Sequence, residues 1–144
     1  MKVESILRFK GSTVETIEPE APVGRAARRM STLHIGALVV SRDGGTLDGL
    51  IAERDIVYGL ARHGHLLLEM RVRNVMRADP PVCAPADSVV DVMARMTRLR
   101  VRHLPVVDGG TVCGIVSIGD IVKQRLDETE QEITLVREAY IGRG

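Results

Sequence analysis

Aromatic residues are nearly missing from this chain of 144 residues, which holds one Phe, two Tyr and no Trp. Single-stranded nucleic acid is gripped largely by stacking bases on aromatic rings, so that class of function has little to work with. An excess of charge of either sign is lacking too. Lys and Arg number 20 against 19 Asp and Glu, and a net charge of +1 encodes no general pull toward nucleic acid or anionic lipid. Neither a nucleic-acid partner nor a membrane partner is expected.

Cysteine is scarce. Cys83 and Cys113 stand apart, without a CxxC or histidines at zinc spacing, and read as reduced structural thiols; the sequence leaves a disulfide between them open. No run approaches the roughly 18 apolar residues of a membrane helix. The opening MKVESILRFKG has neither the apolar segment nor the cleavage site of a secretory leader, so a cytoplasmic location is expected. No phosphate-binding glycine loop and no nucleophile–base–orienter set occurs, so no enzymatic activity is expected. His63-Gly-His65 lacks a third metal ligand and reads as the loop ending a helix.

What is present is an aliphatic chain written twice. Pro19, Val23, Met30, Leu33, Leu38 and Val40 recur as Pro85, Val89, Met96, Leu99, Leu104 and Val106. Gly44-Gly45-Thr46 recurs as Gly109-Gly110-Thr111, and Asp55-Ile56-Val57 as Asp120-Ile121-Val122; Lys2-Val3 echoes Arg71-Val72. In each copy an extended segment precedes an amphipathic helix. Its apolar stripe is Val23, Ala26, Ala27 and Met30 in the first copy and Val89, Val92, Met93 and Met96 in the second. Ser88-x-x-Asp91 has the form of a capping box. "LPVV", "DGG" and "TVCGIV" then predict a hairpin, as do "ALVV", "RDGG" and "TLDGLI", and a second helix follows each. The order is strand, helix, strand, strand, helix. One such unit leaves an apolar sheet face uncovered, so two are needed to close a core.

The passage HLPVVDGGTVCGIVSIGD, the duplication and the repeated junction aspartate together resemble a tandem pair of CBS domains, a Bateman module. The resemblance implies an α+β fold of two βαββα motifs in pseudo-twofold arrangement, here residues 1–68 and 69–126, followed by a C-terminal helical tail over 127–144. It implies a regulatory module binding an adenosine-containing ligand such as AMP, ADP, ATP, S-adenosylmethionine or NADH between the motifs. It also implies a homodimer and an unidentified regulated protein. The chain is similar as well to the regulatory insert of IMP dehydrogenase, without that enzyme's catalytic part. A dimeric scaffold with weak or no ligand binding is the alternative, and Ala52, standing where the second copy has Ser117, favours it.

Physical chemistry allows the same site. A helix starting at a strand end offers unpaired N–H groups, and an aspartate there can accept from both hydroxyls of a ribose. The competing role for such an aspartate is simply to cap the helix, worth about 1 kcal/mol. In the resemblance Asp55 and Asp120 take the ribose, Ser117 makes a polar contact, and Arg102 and His103 face phosphates. Arg54, replacing Gly119 of the second copy, adds a guanidinium suited to phosphate. A solvated strand edge for Arg102 and a hydrogen-bonded structural role for His103 remain open. Ile35, Gly36 and Ala37, with Val101 in the second copy, are candidates to grip the adenine, as are Thr16 and Val82 on the first strand of each unit. Beyond the junction, Val122, Leu126, Thr129, Ile133, Val136 and Tyr140 step by 4-3-4-3-4, a heptad seam on a helix reaching about Ile141. This seam is expected to pack on a partner protomer, or else to fold back on its own module.

Overall fold

The computed structural model describes residues 1–141. Helix α1 (Val3–Lys10) leads. The first unit follows as β1 (Thr16–Ile17), α2 (Val23–Leu33), β2 (Ala37–Val40), β3 (Gly49–Ala52) and α3 (Glu53–His63). Two 3-10 segments, Gly64–Glu69 and Val72–Asn74, lead to α4 (Val89–Leu99), β4 (His103–Asp108), β5 (Thr111–Ser117) and α5 (Ile118–Ile141). The architecture is the α+β pair of βαββα units that the repeat implies.

In the first unit β1 runs parallel to β2, and β2 pairs antiparallel with β3. In the second, β4 and β5 form the hairpin, and the leading strand shrinks to a parallel bridge between Cys83 and Val106. Gly109 and Gly110 turn that hairpin with φ of 59° and 83°, the left-handed pair that matches the twist of the flanking strands. The helical stripes face inward as their spacing requires. Val23, Ala26 and Met30 are buried in one core, and Val89, Val92 and Met96 in the other. A third cluster, built from Ala37, Val39 and Leu50 of the first sheet and Val112 of the second, joins the halves.

Neither core is closed by its own unit. Val3, Ile6 and Leu7 of α1 pack with Val89, Met96 and Leu104 of the second unit. Leu67 and Val72, on the segment that leads into the second unit, pack with Val23, Leu38 and Ile51 of the first. Backbone bonds repeat the exchange. Val3 N–H donates to Asp87 O (2.9 Å) and Val89 N–H to Met1 O (2.9 Å); Val72 N–H donates to Ala21 O (2.8 Å) and Val23 N–H to Met70 O (2.8 Å). The echo of Lys2-Val3 in Arg71-Val72 is therefore the mark of two equivalent straps, each fastened to the other's unit.

One departure from the sequence reading lies at the start of α4. The Ser88-x-x-Asp91 capping box does not form, and Ser88 makes no side-chain capping bond. The first N–H of α4, that of Val89, is taken instead by Met1 O of the strap. Asp87 instead accepts from Ala84 N–H at 2.8 Å and closes the preceding turn.

Each strap crosses a glycine of the opposite sheet. A Cβ on Gly114 would lie 2.7 Å from Leu7 Cδ2, the tip of a side chain that can rotate; on Gly49 it would lie 2.7 Å from the carbonyl oxygen of Arg77, which cannot. Gly49→Ala should therefore lower stability by about 1–3 kcal/mol in urea unfolding, and Gly114→Ala by less. Equal losses in the two variants would contradict this account.

Candidate ligand-binding site

Both junction aspartates sit where a sheet strand hands over to a helix, and each turns one carboxylate oxygen back to the chain. Asp55 Oδ2 accepts from Ala52 N–H at 2.8 Å, and Asp120 Oδ2 from Ser117 N–H at 2.9 Å. The capping role open in the sequence is thus filled by one oxygen of each carboxylate. From there the two junctions diverge.

The Asp55 junction opens into a cleft of about 340 Å³ between the halves. Ala52, Glu53, Arg54 and Asp55 form the wall at the start of α3, with Val57 and Tyr58 one turn on. Val101, Arg102 and His103 face them from the second unit, and Gly36 lies between. Arg77, Pro80 and Pro81 close the cleft from the segment joining the units. Ala52 carries no hydroxyl and gives α3 no side-chain cap, while Glu53 N–H, the first donor of the helix, is taken by Gly36 O at 3.0 Å. Burial pushes the Asp55 carboxyl above its ordinary value, against the opposing pull of the Ala52 N–H and the charges of Arg54 and Arg77. Among the described residues no cation stands within ion-pair distance of it.

Gly36 lies at this crossing. A Cβ there would come within 2.9 Å of Glu53 Oε1 and 3.0 Å of His103 Cε1, so a larger residue would push those two side-chain ends aside. Burial holds the His103 imidazole below its ordinary pKa; Glu53 and Asp120 oppose this, while Lys10 and Arg102 reinforce it. His103 therefore stands between the two junctions and feels both.

The Asp120 junction is filled. Lys10, the last residue of α1, donates to Asp120 Oδ2 at 2.7 Å and to Ile115 O at 2.9 Å. Ser117 Oγ accepts from Asp120 N–H at 3.2 Å, completing a reciprocal cap, so both the hydroxyl and the carboxylate are engaged inside the protein. Burial raises the Asp120 pKa, but the bonds from Lys10 and Ser117 outweigh it and hold the carboxyl below its usual value.

Of the residues singled out in the sequence, Gly36, Arg54, Asp55, Val101, Arg102 and His103 are brought together around one cleft. Ser117 and Asp120 form the second junction, away from that lining. Ile35 packs against the first core, and Ala37 is buried in the cluster joining the sheets. Thr16 and Val82 sit at equivalent places and present their carbonyls to arginines of the following helices, Arg29 and Arg95. Glu53, Tyr58, Arg77, Pro80 and Pro81 were not foreseen. The strap equivalence that pairs Lys2 with Arg71 also carries Gly11 onto Pro80, and would have drawn attention to that stretch. Cys83 and Cys113 are both free, and burial, with Asp87 nearby, pushes the Cys83 thiol up to about 12.

Two interlocked repeats around an inter-unit cleft, with an aspartate at a helix start in each, define a tandem-repeat α+β module. The chain belongs to the CBS-domain family: the family's model matches residues 11–62 and 72–127. It is 32% identical over 150 residues to the mitochondrial CBS domain-containing protein CBSX3 of Arabidopsis thaliana, covering 99% of this chain and 72% of that one. A crystal structure of a CBS-domain protein from Agrobacterium tumefaciens superposes with a TM-score of 0.84 at 36% identity, over 87% of this chain and 99% of that one. A CBS protein from Pyrobaculum aerophilum, solved in complex with AMP, shares the fold with a TM-score of 0.72 at 20% identity, over 83% of this chain and 89% of that one.

The Lys10–Asp120 link gives a direct check on the filled junction. Lys10→Met removes the ammonium and leaves the burial, so the Asp120 carboxyl pKa should rise, as read by NMR titration of its side-chain carbon. Because the folded value is depressed, the link stabilises the protein above the unfolded aspartate value near 4 and is lost as pH falls through the folded one. With both side chains partly exposed, the loss in Lys10→Met at neutral pH should stay at about 1 kcal/mol or less.

Proposed function

We propose that this chain is a regulatory, non-catalytic sensor that takes one adenosine-containing nucleotide, such as AMP, ATP or NADH, in the Asp55 cleft. The observation that carries the reading is that Asp55 and three arginines, Arg54, Arg77 and Arg102, line one cleft between the units together with apolar residues. The outward Asp55 oxygen suits a ribose diol. The arginines suit phosphate. Leu50, Val101, Pro80 and Pro81 supply the apolar surface an adenine needs. The Pyrobaculum protein of the same fold binds AMP, which makes nucleotides the first ligands to test.

The mechanism in this reading is differential affinity. A ligand touching α3, the start of β4 and the joining segment favours one arrangement of the halves, and a partner protein reads that preference. Couplings of this kind are typically about 1–3 kcal/mol. The protein works in this reading as a homodimer in the cytoplasm. Ala52, which argued for a scaffold without ligand, here leaves the Asp55 N–H without the hydroxyl that Ser117 offers Asp120. The scaffold reading keeps its force at Asp120, where Lys10 takes the place a ligand would need.

Calorimetric titration with AMP, ATP, NADH and S-adenosylmethionine tests the proposal, with one site per chain expected. Asp55→Asn should weaken binding roughly ten- to a hundredfold, the scale of hydrogen bonds to a charged group. Arg102→Ala should weaken phosphorylated ligands while sparing adenosine. Lys10→Ala should raise the stoichiometry toward two. No heat with any of the four ligands, and no nucleotide retained in a native mass spectrum, would leave the scaffold reading standing.

His103 adds a dependence on pH. Its depressed pKa keeps it neutral in the free protein near pH 7, and a bound phosphate favours the imidazolium. Affinity for a phosphorylated ligand should therefore gain more on acidification from pH 7.5 to 6 in the wild type than in His103→Gln. Taking the difference between the two proteins cancels the ligand's own ionisation.

A further inference from the structure

Helix α5 runs 24 residues from Ile118 to Ile141, about 36 Å at the helical rise, yet only Ile121 of it is buried. From Val122 onward its apolar seam lies open: Val122, Leu126, Ile133, Val136 and Tyr140 are between 47% and 82% exposed. The fold-back onto the protein's own module, left open by the sequence, is not what the described residues do. A free helix of this kind is marginal in water, and an apolar stripe of this length calls for a second surface.

The charges beside the seam select the occupant. With Leu126, Ile133 and Tyr140 at the a positions and Val122, Thr129 and Val136 at d, the flanking g residues include Arg125 and Glu132, and the e residues are Lys123, Glu130 and Arg137. When two copies lie parallel, each g position faces the e position five residues on in the other helix. Arg125 then meets Glu130 and Glu132 meets Arg137, and both pairs attract. When two copies lie antiparallel with the seams overlapped, Glu130 meets Glu130, Glu132 meets Glu132 and Lys123 meets Arg137. All three repel, and like charges across an interface suppress that arrangement.

We propose that α5 is a self-pairing helix: two copies of this chain join as a parallel, two-stranded coiled coil over Val122–Tyr140, held by the apolar seam and oriented by Arg125–Glu130 and Glu132–Arg137 pairs. Such a pairing is closed by a twofold axis along the helices, so it stops at two copies. It does not depend on the nucleotide cleft, whose lining contains no residue of α5.

Sedimentation equilibrium of the full chain over a range of concentrations tests it. The wild type should be a dimer, and Ile133→Lys, a change on an exposed helix face, should be a monomer with unchanged circular dichroism. Glu132→Arg should weaken the dimer roughly tenfold, since two symmetry-related pairs turn from attractive to repulsive, and adding Arg137→Glu should restore it. Residues five apart do not face each other on one helix, so such rescue is intermolecular. A dimer that survives Ile133→Lys, or one indifferent to Glu132→Arg, overturns the parallel coiled coil. A wild-type monomer overturns it as well. Its tail, if resistant to protease, then packs on the protein itself; if readily cut, it awaits a different helix.

Discussion

Each unit of this protein lacks a piece of its own core and receives it from the segment that leads into the other. Val3 fills the second unit and Val72 the first, fastened by matching pairs of backbone bonds. Burying a Val or Leu side chain contributes about 1.5–3 kcal/mol. Several such residues move across together in each strap, so an isolated unit would lose a substantial part of its stabilisation. The pair is thereby the smallest folding unit, and the cleft between the units is a fixed consequence of how they interlock. Gly36, Gly49 and Gly114 occur where the crossing segments or their side chains come too close for a Cβ.

The straps are equivalent in their bonding and unequal in what they bring. The first is a helix that ends in Lys10, and its ammonium lands on Asp120. The second is a short 3-10 turn that runs on through Arg77 to Pro80 and Pro81, and these residues line a space beside Asp55. The junctions reached by the two straps differ in the matching sense. Where Lys10 arrives, Ser117 completes a reciprocal cap and one Asp120 oxygen takes both the ammonium and the Ser117 N–H. Where the prolines arrive, Ala52 offers no hydroxyl and the corresponding Asp55 oxygen takes the Ala52 N–H alone. A duplicated sequence has become one satisfied junction and one open one.

Much of this was legible in the residues, for reasons that are local. The helical stripes, the Gly109-Gly110 turn and the strand order depend on neighbours in sequence, so spacing and turn chemistry are enough to find them. The duplication gave the pairing of halves, and the resemblance gathered Gly36, Arg54, Asp55, Val101, Arg102 and His103, which do converge. The exchange of straps was not legible. An alignment tells which segments are equivalent, and says nothing about which copy each one packs against. That one gap accounts for the unforeseen roles of Arg77 and Pro80 and for Lys10 on Asp120.

The scarcity of aromatics also bears on what the open cleft can discriminate. Tyr58 is the sole ring system of Phe, Tyr or Trp type along its wall, and the remaining apolar surface comes from proline and aliphatic side chains. Such surfaces reward shape and burial and distinguish weakly between flat bases of similar size. The polar ends are different. A half-buried carboxylate set for a diol is left poorly paired whenever the ligand lacks the matching group, and that penalty is larger than the loss of an apolar contact, while the exposed arginines add attraction only for a ligand with anionic oxygens. In the proposed reading the cleft therefore separates ligands by sugar and phosphate more sharply than by base. In that reading the protein reports on the charge state of a nucleotide, because the arginines that would feel that charge line the cleft from both units and from the segment that joins them.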